Sequence, residues 1–243
     1  MTALYDTIGL NYAQLRRPDI RIANQIDRAL GNARSVLNVG AGAGSYEPVA
    51  RVVTAVEPSA KMMAQRIAPA AAVVQAFAEE LPFEDDTFDA SMAVLTIHHW
   101  QDKEMGVREM RRVTRGPMVF LTHDPAFRGF WLTEYLPQLI AIDDGKMPPL
   151  ADFGEWLGDV VIEPVPVPHD CTDGFLAAYW RRPSAYLDDR VRAAISSFWA
   201  LGDIREILAQ LKADLDDGSW ALRHADLLER ESLDCGYRLV IAR

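Results

Sequence analysis

The chain has 243 residues, a length that suits one large α/β domain or one domain with an inserted lid. It carries 35 Asp and Glu against 25 Lys and Arg, and a formal net charge of −10 argues against a nucleic-acid partner. No apolar run is long enough to span a membrane, the first residues resemble no signal peptide, and the two cysteines, Cys171 and Cys235, form no disulfide framework, so we expect a cytoplasmic protein.

Short apolar strand patterns alternate with helical patterns in the first half of the chain. A helix is predicted around Ile22 to Leu30, and another over residues 103–113. Five strands are predicted at 35–40, 52–57, 72–75, 88–95 and 117–122. This alternation is typical of a parallel sheet that is covered by helices.

The second half is less regular. Residues 127–143 have helical spacing, and 160–167 and 235–242 indicate a sixth and a seventh strand. We therefore predict an α/β fold with a Rossmann-like, seven-stranded, mostly parallel sheet and helices on both faces. Residues 1–170 plus 233–243 would form the cofactor-binding domain, and 171–232 a helical cap over the substrate, inserted between the sixth and seventh strands. The alternative for the insertion is an extension that only stabilises the sheet edge.

A glycine turn follows the first strand. Gly40, Gly42 and Gly44 lie between this strand and a predicted helix, and glycine lets the backbone approach a ligand without a Cβ in the way. The start of a helix adds free N–H groups. Such a run alone fits the nucleotide-binding sheet of either a methyltransferase or a dehydrogenase.

Two later features favour the methyltransferase. Glu57 closes the second strand and is followed by Pro58 and Ser59, and a carboxylate there can accept hydrogen bonds from both hydroxyls of one ribose. The loop over residues 76–83, after the third strand, can wrap an adenine, with a backbone N–H and an acid reading its edge.

The order of these segments, over roughly residues 33–122, resembles the class I S-adenosylmethionine (SAM)-dependent methyltransferases of the ubiquinone/menaquinone-methyltransferase-like group (methyltransferase type 11). The resemblance implies SAM as the cofactor and S-adenosylhomocysteine (SAH) as its product. It implies a glycine loop around the methionine part, Glu57 at the ribose, and Ala78 and Glu79 beside the adenine. The full set of expected cofactor residues within this segment is Asn38, Gly40, Ala41, Gly42, Gly44, Glu57, Pro58, Ser59, Phe77, Ala78, Glu79 and Val94.

Two positions depart from the family pattern. Asn38 stands where the family usually has an acid, so it can orient the loop or accept from a cofactor amine but gives up a charge. Phe77 stands where the family often has Asp, so it can stack on the adenine but cannot accept from its amino group.

The N-terminal segment also resembles a leader that closes over the cofactor in many such enzymes. Arg17, in the pair Arg16-Arg17, is expected to pair with the cofactor carboxylate, and Tyr12 to cover the sulfur. The alternative is a packing helix with two surface arginines.

Histidines follow three strands at the edge of the sheet where ligands bind. His98 and His99 follow the fourth strand, His123 ends the fifth, and His169 comes after the sixth. Methylation of a hydroxyl needs a base, and an imidazole suits that task, so His98, His99 and His123 are the candidate catalytic residues. Transfer to an amine needs only positioning, since the sulfonium already activates the methyl group.

No metal site is predicted, because the spacing of His123-Asp124 and His169-Asp170 matches no familiar ligand pattern. The predicted function is SAM-dependent methyl transfer to an O, N or C nucleophile of a small-molecule acceptor, by a monomer or homodimer. The alternatives are a non-catalytic SAM-binding protein and a nicotinamide-dependent oxidoreductase.

Overall fold

The computed structural model describes residues 15–67 and 70–243. Its strands are β1 Ser35–Val39, β2 Val52–Val56, β3 Ala72–Val74, β4 Ala90–Val94, β5 Met118–His123, β6 Val160–Pro164, β7 Val167–Pro168, β8 Ser232–Leu233 and β9 Tyr237–Ala242. Its α-helices are α1 Ile20–Ala29, α2 Ala60–Met63, α3 Lys103–Arg112, α4 Leu132–Tyr135, α5 Gln138–Lys146, α6 Leu150–Leu157, α7 Asp189–Ala193, α8 Ser196–Trp199, α9 Arg205–Asp216 and α10 Ser219–Arg223. Short 3₁₀ helices lie at Ile97–His99, Leu176–Tyr179, Pro183–Leu187 and Ala225–Glu229.

Seven strands form one sheet in the order β3-β2-β1-β4-β5-β9-β6. The first five in this order are parallel, and β9 runs antiparallel to both β5 and β6, so that Val240 lies opposite Phe120 on one side and Ile162 on the other. The sixth and seventh strands of the sheet are therefore β6 and β9, and the helical insertion lies between them. The predicted fold class is confirmed.

Alternation along the central strands gives the sheet two buried faces. Val36 packs on the face that α1 covers with Ile22 and Ile26. Its neighbour Leu37 packs on the opposite face, where Met110 of α3 lies. Because both faces are buried, the strands are nearly continuous apolar runs, and their carboxyl ends carry the polar residues.

The helix predicted after the glycine turn does not form. Residues 41–51 are all described, and they form turns instead. Gly42, Gly44 and Tyr46 have positive φ angles of 52°, 94° and 64°, whereas an α-helix needs φ near −63°. The backbone N–H groups beside the cleft therefore come from a glycine loop and not from a helix terminus.

Two further elements have boundaries that differ from the predicted ones, and a proline lies at each. The helix predicted over 127–143 is interrupted at Pro137, with α4 ending at Tyr135 and α5 beginning at Gln138. Proline lacks the N–H that a helix interior requires. The sixth strand ends at Pro164 and not at Val167, and the chain resumes in the separate β7–β8 ladder.

Aromatic side chains hold the insertion together. Trp131, which precedes α4, donates a hydrogen bond from Nε1 to the Trp180 carbonyl at 2.7 Å, and its ring packs against Trp220 and Tyr186. All four side chains are buried. The segment after β5 thus shares a core with the predicted cap of 171–232, whose boundaries remain a prediction. Cys171 and Cys235 are buried free thiols.

Candidate active site

A cleft of about 270 Å³ opens at the carboxyl ends of β1, β2 and β4. This volume is close to the lower end of small-ligand sites, about 300–1,000 Å³. The predicted cofactor residues that line it are Asn38, Gly40, Ala41, Gly42, Glu57, Pro58, Phe77, Ala78, Glu79 and Val94. Gly44 and Ser59 do not line it. Gly44 lies further along the glycine loop, and Ser59 is fully buried as the N-cap of α2.

The glycine loop packs too closely for a side chain at its first position. Gly40 has φ of 69°, and a Cβ there would lie 2.0 Å from Oγ1 of Thr96. The N–H groups of Gly40 and Ala41 both donate to the Val56 carbonyl at 2.9 Å, which ties the loop to the end of β2. Only glycine therefore allows the loop to lie between β2 and the residues after β4.

Glu57 is 5% exposed and is fixed from two sides. Its Oε2 accepts from the N–H of Gly42 at 2.8 Å, and its Oε1 accepts from the N–H of Ser59 at 2.9 Å. A carboxylate oxygen can accept more than one hydrogen bond, so each oxygen keeps capacity for a ligand hydroxyl. The carboxylate is thus held in place at the cleft by the loop beside it.

Asn38 is buried and orients the loop. Its Nδ2 donates to Oε1 of Glu47 at 3.2 Å, and the same carboxylate is paired with Arg66 at 2.6 Å. The amide therefore has a partly buried acid, Glu47, as its partner within the protein.

The loop after β3 forms the other wall of the cleft. Phe77 is half-buried and Ala78 is buried. The carboxylate of Glu79 accepts from the backbone N–H groups of Gln101 and Asp102 at 2.7 and 3.1 Å. Glu79 thus links this loop to the segment after β4 while it lines the cleft.

Glu109 and Arg112 of α3 hold this loop from behind. Arg112 donates to the carbonyls of Leu81 and Phe83 at 3.0 and 2.8 Å, and Glu109 accepts from the N–H of Leu81 at 3.0 Å. The hydrogen bond from Arg112 lowers the pKa of Glu109. The Leu81-Pro-Phe83 turn is therefore fixed to α3.

In the leader, Arg16 and not Arg17 lines the cleft. Arg16 pairs with Asp173 at 2.7 Å, and the hydroxyl of Tyr46 donates to the same carboxylate at 2.9 Å. Asp173 is fully buried, so this network joins the leader, the glycine loop and the start of the cap. Arg17 is exposed. Tyr12 lies outside the described residues.

The two adjacent histidines after β4, His98 and His99, line different cavities. Leu95 has φ of 51°, an unusual value for a leucine, and it begins the turn into the 3₁₀ helix Ile97–His99. The His98 and His99 rings lie 3.9 Å apart, yet only His99 lines the cleft. Burial lowers the pKa of His99 to about 4, and burial together with His99 lowers the pKa of His98 well below its usual value.

A second cavity, of about 60 Å³, adjoins the cleft. Arg16 and Leu95 line both spaces. Its other lining residues are His98, His123, Asp143, Met147, Phe175, Leu176, Ile195, Ser196, Ser197 and Tyr237. Two of the three candidate catalytic histidines therefore meet in one cavity, which residues of the helical insertion also line. Burial lowers the pKa of His123 to about 4.

The residues of the cleft fit SAM. A buried carboxylate at the end of β2, a backbone loop with no room for a side chain at Gly40, and a half-buried aromatic ring at Phe77 correspond to its ribose, methionine and adenine parts. Across residues 15–67 and 70–243, no three His, Cys, Asp or Glu side chains are grouped as a metal site. Within the same residues, no helix is long and apolar enough to cross a membrane.

Sequence reasoning missed several residues of both cavities: Arg16 as a lining residue, Tyr46, Trp100, Gln101, Asp143 and Tyr237. Asp143 lies on α5, and Tyr237 begins β9, far along the chain from the glycine loop. No local pattern marks these positions, because only the folded sheet and the insertion bring them together.

Comparisons with known proteins agree with this geometry. A methyltransferase-domain family model (type 11) matches residues 37–119. Over 84 residues, 35% of this chain, the sequence is 30% identical to 2-methyl-6-phytyl-1,4-hydroquinone methyltransferase 2, chloroplastic, of Oryza sativa subsp. japonica, and the match covers 23% of that relative. The chain thus spans less than half the length of the curated relatives it matches.

The similarity to solved structures extends over the whole chain. A candidate methyltransferase from an antibiotic biosynthesis pathway of Anabaena variabilis ATCC 29413 is 35% identical, with 95% of this chain and 99% of the other covered and a TM-score of 0.88. The YcgJ protein of Bacillus subtilis, 19% identical with 91% and 96% covered and a TM-score of 0.54, shares the fold. These matches do not favour a nicotinamide-dependent oxidoreductase. The chain belongs to the class I SAM-dependent methyltransferases, in the methyltransferase type 11 group, and is an enzyme that uses SAM as its cofactor.

Proposed function

We propose that this enzyme methylates a small molecule, whose reacting group binds in the 60 Å³ cavity beneath a cap formed by residues 171–232. The observation that carries the proposal is the adjacency of this cavity to the cofactor cleft, with Arg16 and Leu95 lining both. An acceptor in the cavity would meet the cofactor at this boundary, which is the alignment that transfer of an activated group requires.

The roles of the cleft residues follow from their positions. Glu57 accepts hydrogen bonds from the ribose hydroxyls, and the loop from Gly40 to Gly42 lets the backbone lie against the methionine part. Phe77 and Ala78 flank the adenine, and Arg16 borders the reacting end. When bound, SAM supplies a methyl group that its sulfonium charge has already activated. The protein's contribution is to bind, to align and to exclude water.

The small size and partly apolar lining of the second cavity support a small acceptor. Phe175, Leu176 and Ile195 come from the insertion and lie over the sheet edge. The Anabaena relative, which is matched over nearly its whole length, is described as belonging to an antibiotic biosynthesis pathway, and this also favours a small-molecule acceptor. The hydroquinone methyltransferases are matched over too short a segment to carry their acceptor over to this chain.

Two measurements test the proposal. Calorimetry should show binding of SAH, and mass spectrometry of a metabolite extract from the source organism, incubated with the enzyme and deuterated-methyl SAM, should show a product that carries one labelled methyl group. Absence of SAH binding would contradict the cofactor assignment. SAH binding without any labelled small molecule would favour a binding protein or a macromolecular acceptor.

A further inference from the structure

Two hydrogen-bond acceptors face each other in the second cavity. Nδ1 of His123 and Oδ2 of Asp143 lie 3.7 Å apart, which is too long for a hydrogen bond. The side chains are only 15% and 18% exposed. Nδ1 of His123 is buried and has no hydrogen-bond partner among the described residues.

The other contacts of His123 favour one tautomer. The backbone carbonyl of Cys235 interacts with the His123 ring and opposes the lowering of its pKa, and since Nδ1 has no partner, we assign this contact to Nε2–H. Nε2 also lies close to Gly236, the next residue, where a Cβ would be 2.7 Å away. The neutral ring therefore presents the lone pair of Nδ1, and not an N–H, to Asp143.

Asp143 is the stronger base of the two. Burial and the nearby Asp144 raise its pKa to about 6, while Arg128 and Lys146 oppose the shift. Burial lowers the pKa of His123 to about 4. Near neutral pH the pair is therefore a carboxylate opposite an imidazole lone pair, and an acceptor left unsatisfied in a buried site is costly. One donor placed between them can be shared by both in a bifurcated hydrogen bond.

We infer that the methyl acceptor carries an O–H or N–H group on a small apolar body, and that this group donates one hydrogen bond shared by Asp143 and His123; this inference rests on the proposed function. The apolar body would lie against Leu95, Phe175 and Leu176. In the transfer, a lone pair of the acceptor's O or N forms the bond to the methyl carbon. The carbon–sulfur bond breaks with its electron pair going to sulfur, and the acceptor's proton passes to Asp143.

The first experiment uses phenol and toluene, which are nearly equal in shape and differ in one donor. Histidine side-chain nitrogens of ¹⁵N-labelled protein are observed by long-range ¹H–¹⁵N NMR, with and without SAH. His123 should be the neutral Nε2–H form. Phenol should shift its Nδ1 resonance and bind about tenfold more tightly than toluene, the gain expected from one hydrogen bond. An Nδ1–H tautomer, or equal responses to phenol and toluene, overturns the inference.

The second experiment uses Asp143→Asn, with Asp144→Asn as the matched control. An asparagine amide can donate to Nδ1 of His123 and removes a buried charge, so Asp143→Asn should raise Tm and abolish the preference for phenol. Asp144 is half-exposed and pairs with Arg128 on the outside of α5, so its variant should keep the preference. A preference that survives Asp143→Asn overturns the inference. Failure of SAH to bind contradicts the proposed function instead, and the phenol titration without SAH keeps the two outcomes separate.

Discussion

The cofactor cleft and the second cavity, where we propose that the acceptor binds, share a boundary but are built in different ways. Apart from Arg16, every residue that lines the cleft lies between Asn38 and Gln101. Apart from Arg16 again, the lining of the cavity runs from Leu95 to Tyr237 and draws on β5, α5, the insertion and the last strand. The cleft is thus the product of consecutive strand ends, whereas the cavity exists only after distant segments have packed together.

Because the two regions are built differently, they differ in how far their shapes can change. The cleft is constrained by its backbone, as at Gly40, where even one methyl group would clash. The cavity is formed by side chains on separate elements, so its shape can change without a change in the sheet. Binding of one cofactor and variation of the acceptor are therefore properties of different parts of the chain.

The largest expected effect is a loss of SAH affinity when a residue of the cleft is replaced. Glu57→Ala removes a charged acceptor of two ribose hydroxyls and should raise the Kd for SAH about 100-fold or more, since each such bond contributes about 1.5–3 kcal/mol. Calorimetry measures the change. Glu80→Gln, at an exposed position outside the cleft, is the matched control and should bind as the parent does. Equal affinity in the two variants would contradict the role given to Glu57.

A methyl group at Gly40 should act on both stability and cofactor binding. Gly40→Ala should lower the free energy of unfolding by about 1–3 kcal/mol, because its Cβ overlaps Thr96 and its φ is positive. It should also weaken SAH binding. Gly154→Ala places a Cβ in open space on α6 and should stabilise the fold by up to about 1 kcal/mol. Urea denaturation compares the pair, and a neutral Gly40→Ala would contradict the close packing described here.

His98 and His99 are adjacent in the chain but line different cavities, so their variants locate the boundary between the two regions. His99→Asn should raise the Kd for SAH by about 3–10-fold, because His99 lines the cleft and one contact of this kind contributes about 0.5–1.5 kcal/mol. His98→Asn should change the Kd for SAH less, since His98 lines the second cavity. The reverse order in calorimetry would show that the boundary between the cavities is misplaced.

The smallest expected effect is on the pH dependence of stability. The pKa values of His99 and His123 are both lowered to about 4, so the unfolded chain binds more protons between pH 6.5 and 4, and stability falls as pH drops through that window. Asp143, whose pKa is raised to about 6, acts in the opposite direction below pH 6. The Tm of His123→Asn should therefore fall less from pH 7 to 4.5 than that of the parent. An equal fall would contradict the burial of a neutral His123.

The sequence predicted the sheet, the positions of its seven strands along the chain and most of the cleft. These features could be predicted because the apolar runs and the glycine loop lie close together along the chain. It did not predict turns after Gly42, since positive φ angles at Gly44 and Tyr46 depend on packing against neighbouring strands. Asp143 was missed for a different reason: nothing in its local sequence distinguishes it from an exposed helix residue, and only β5 and β9 place His123 opposite it.

The most direct test of the two-part site is a crystal structure of the SAH complex. We predict ribose hydroxyls within about 2.6–3.2 Å of the Glu57 carboxylate, with the SAH sulfur at the boundary near Leu95 and directed toward the cavity of His123 and Asp143. An adenosyl group in this orientation with the sulfur directed away from that cavity, or bound elsewhere, would contradict it.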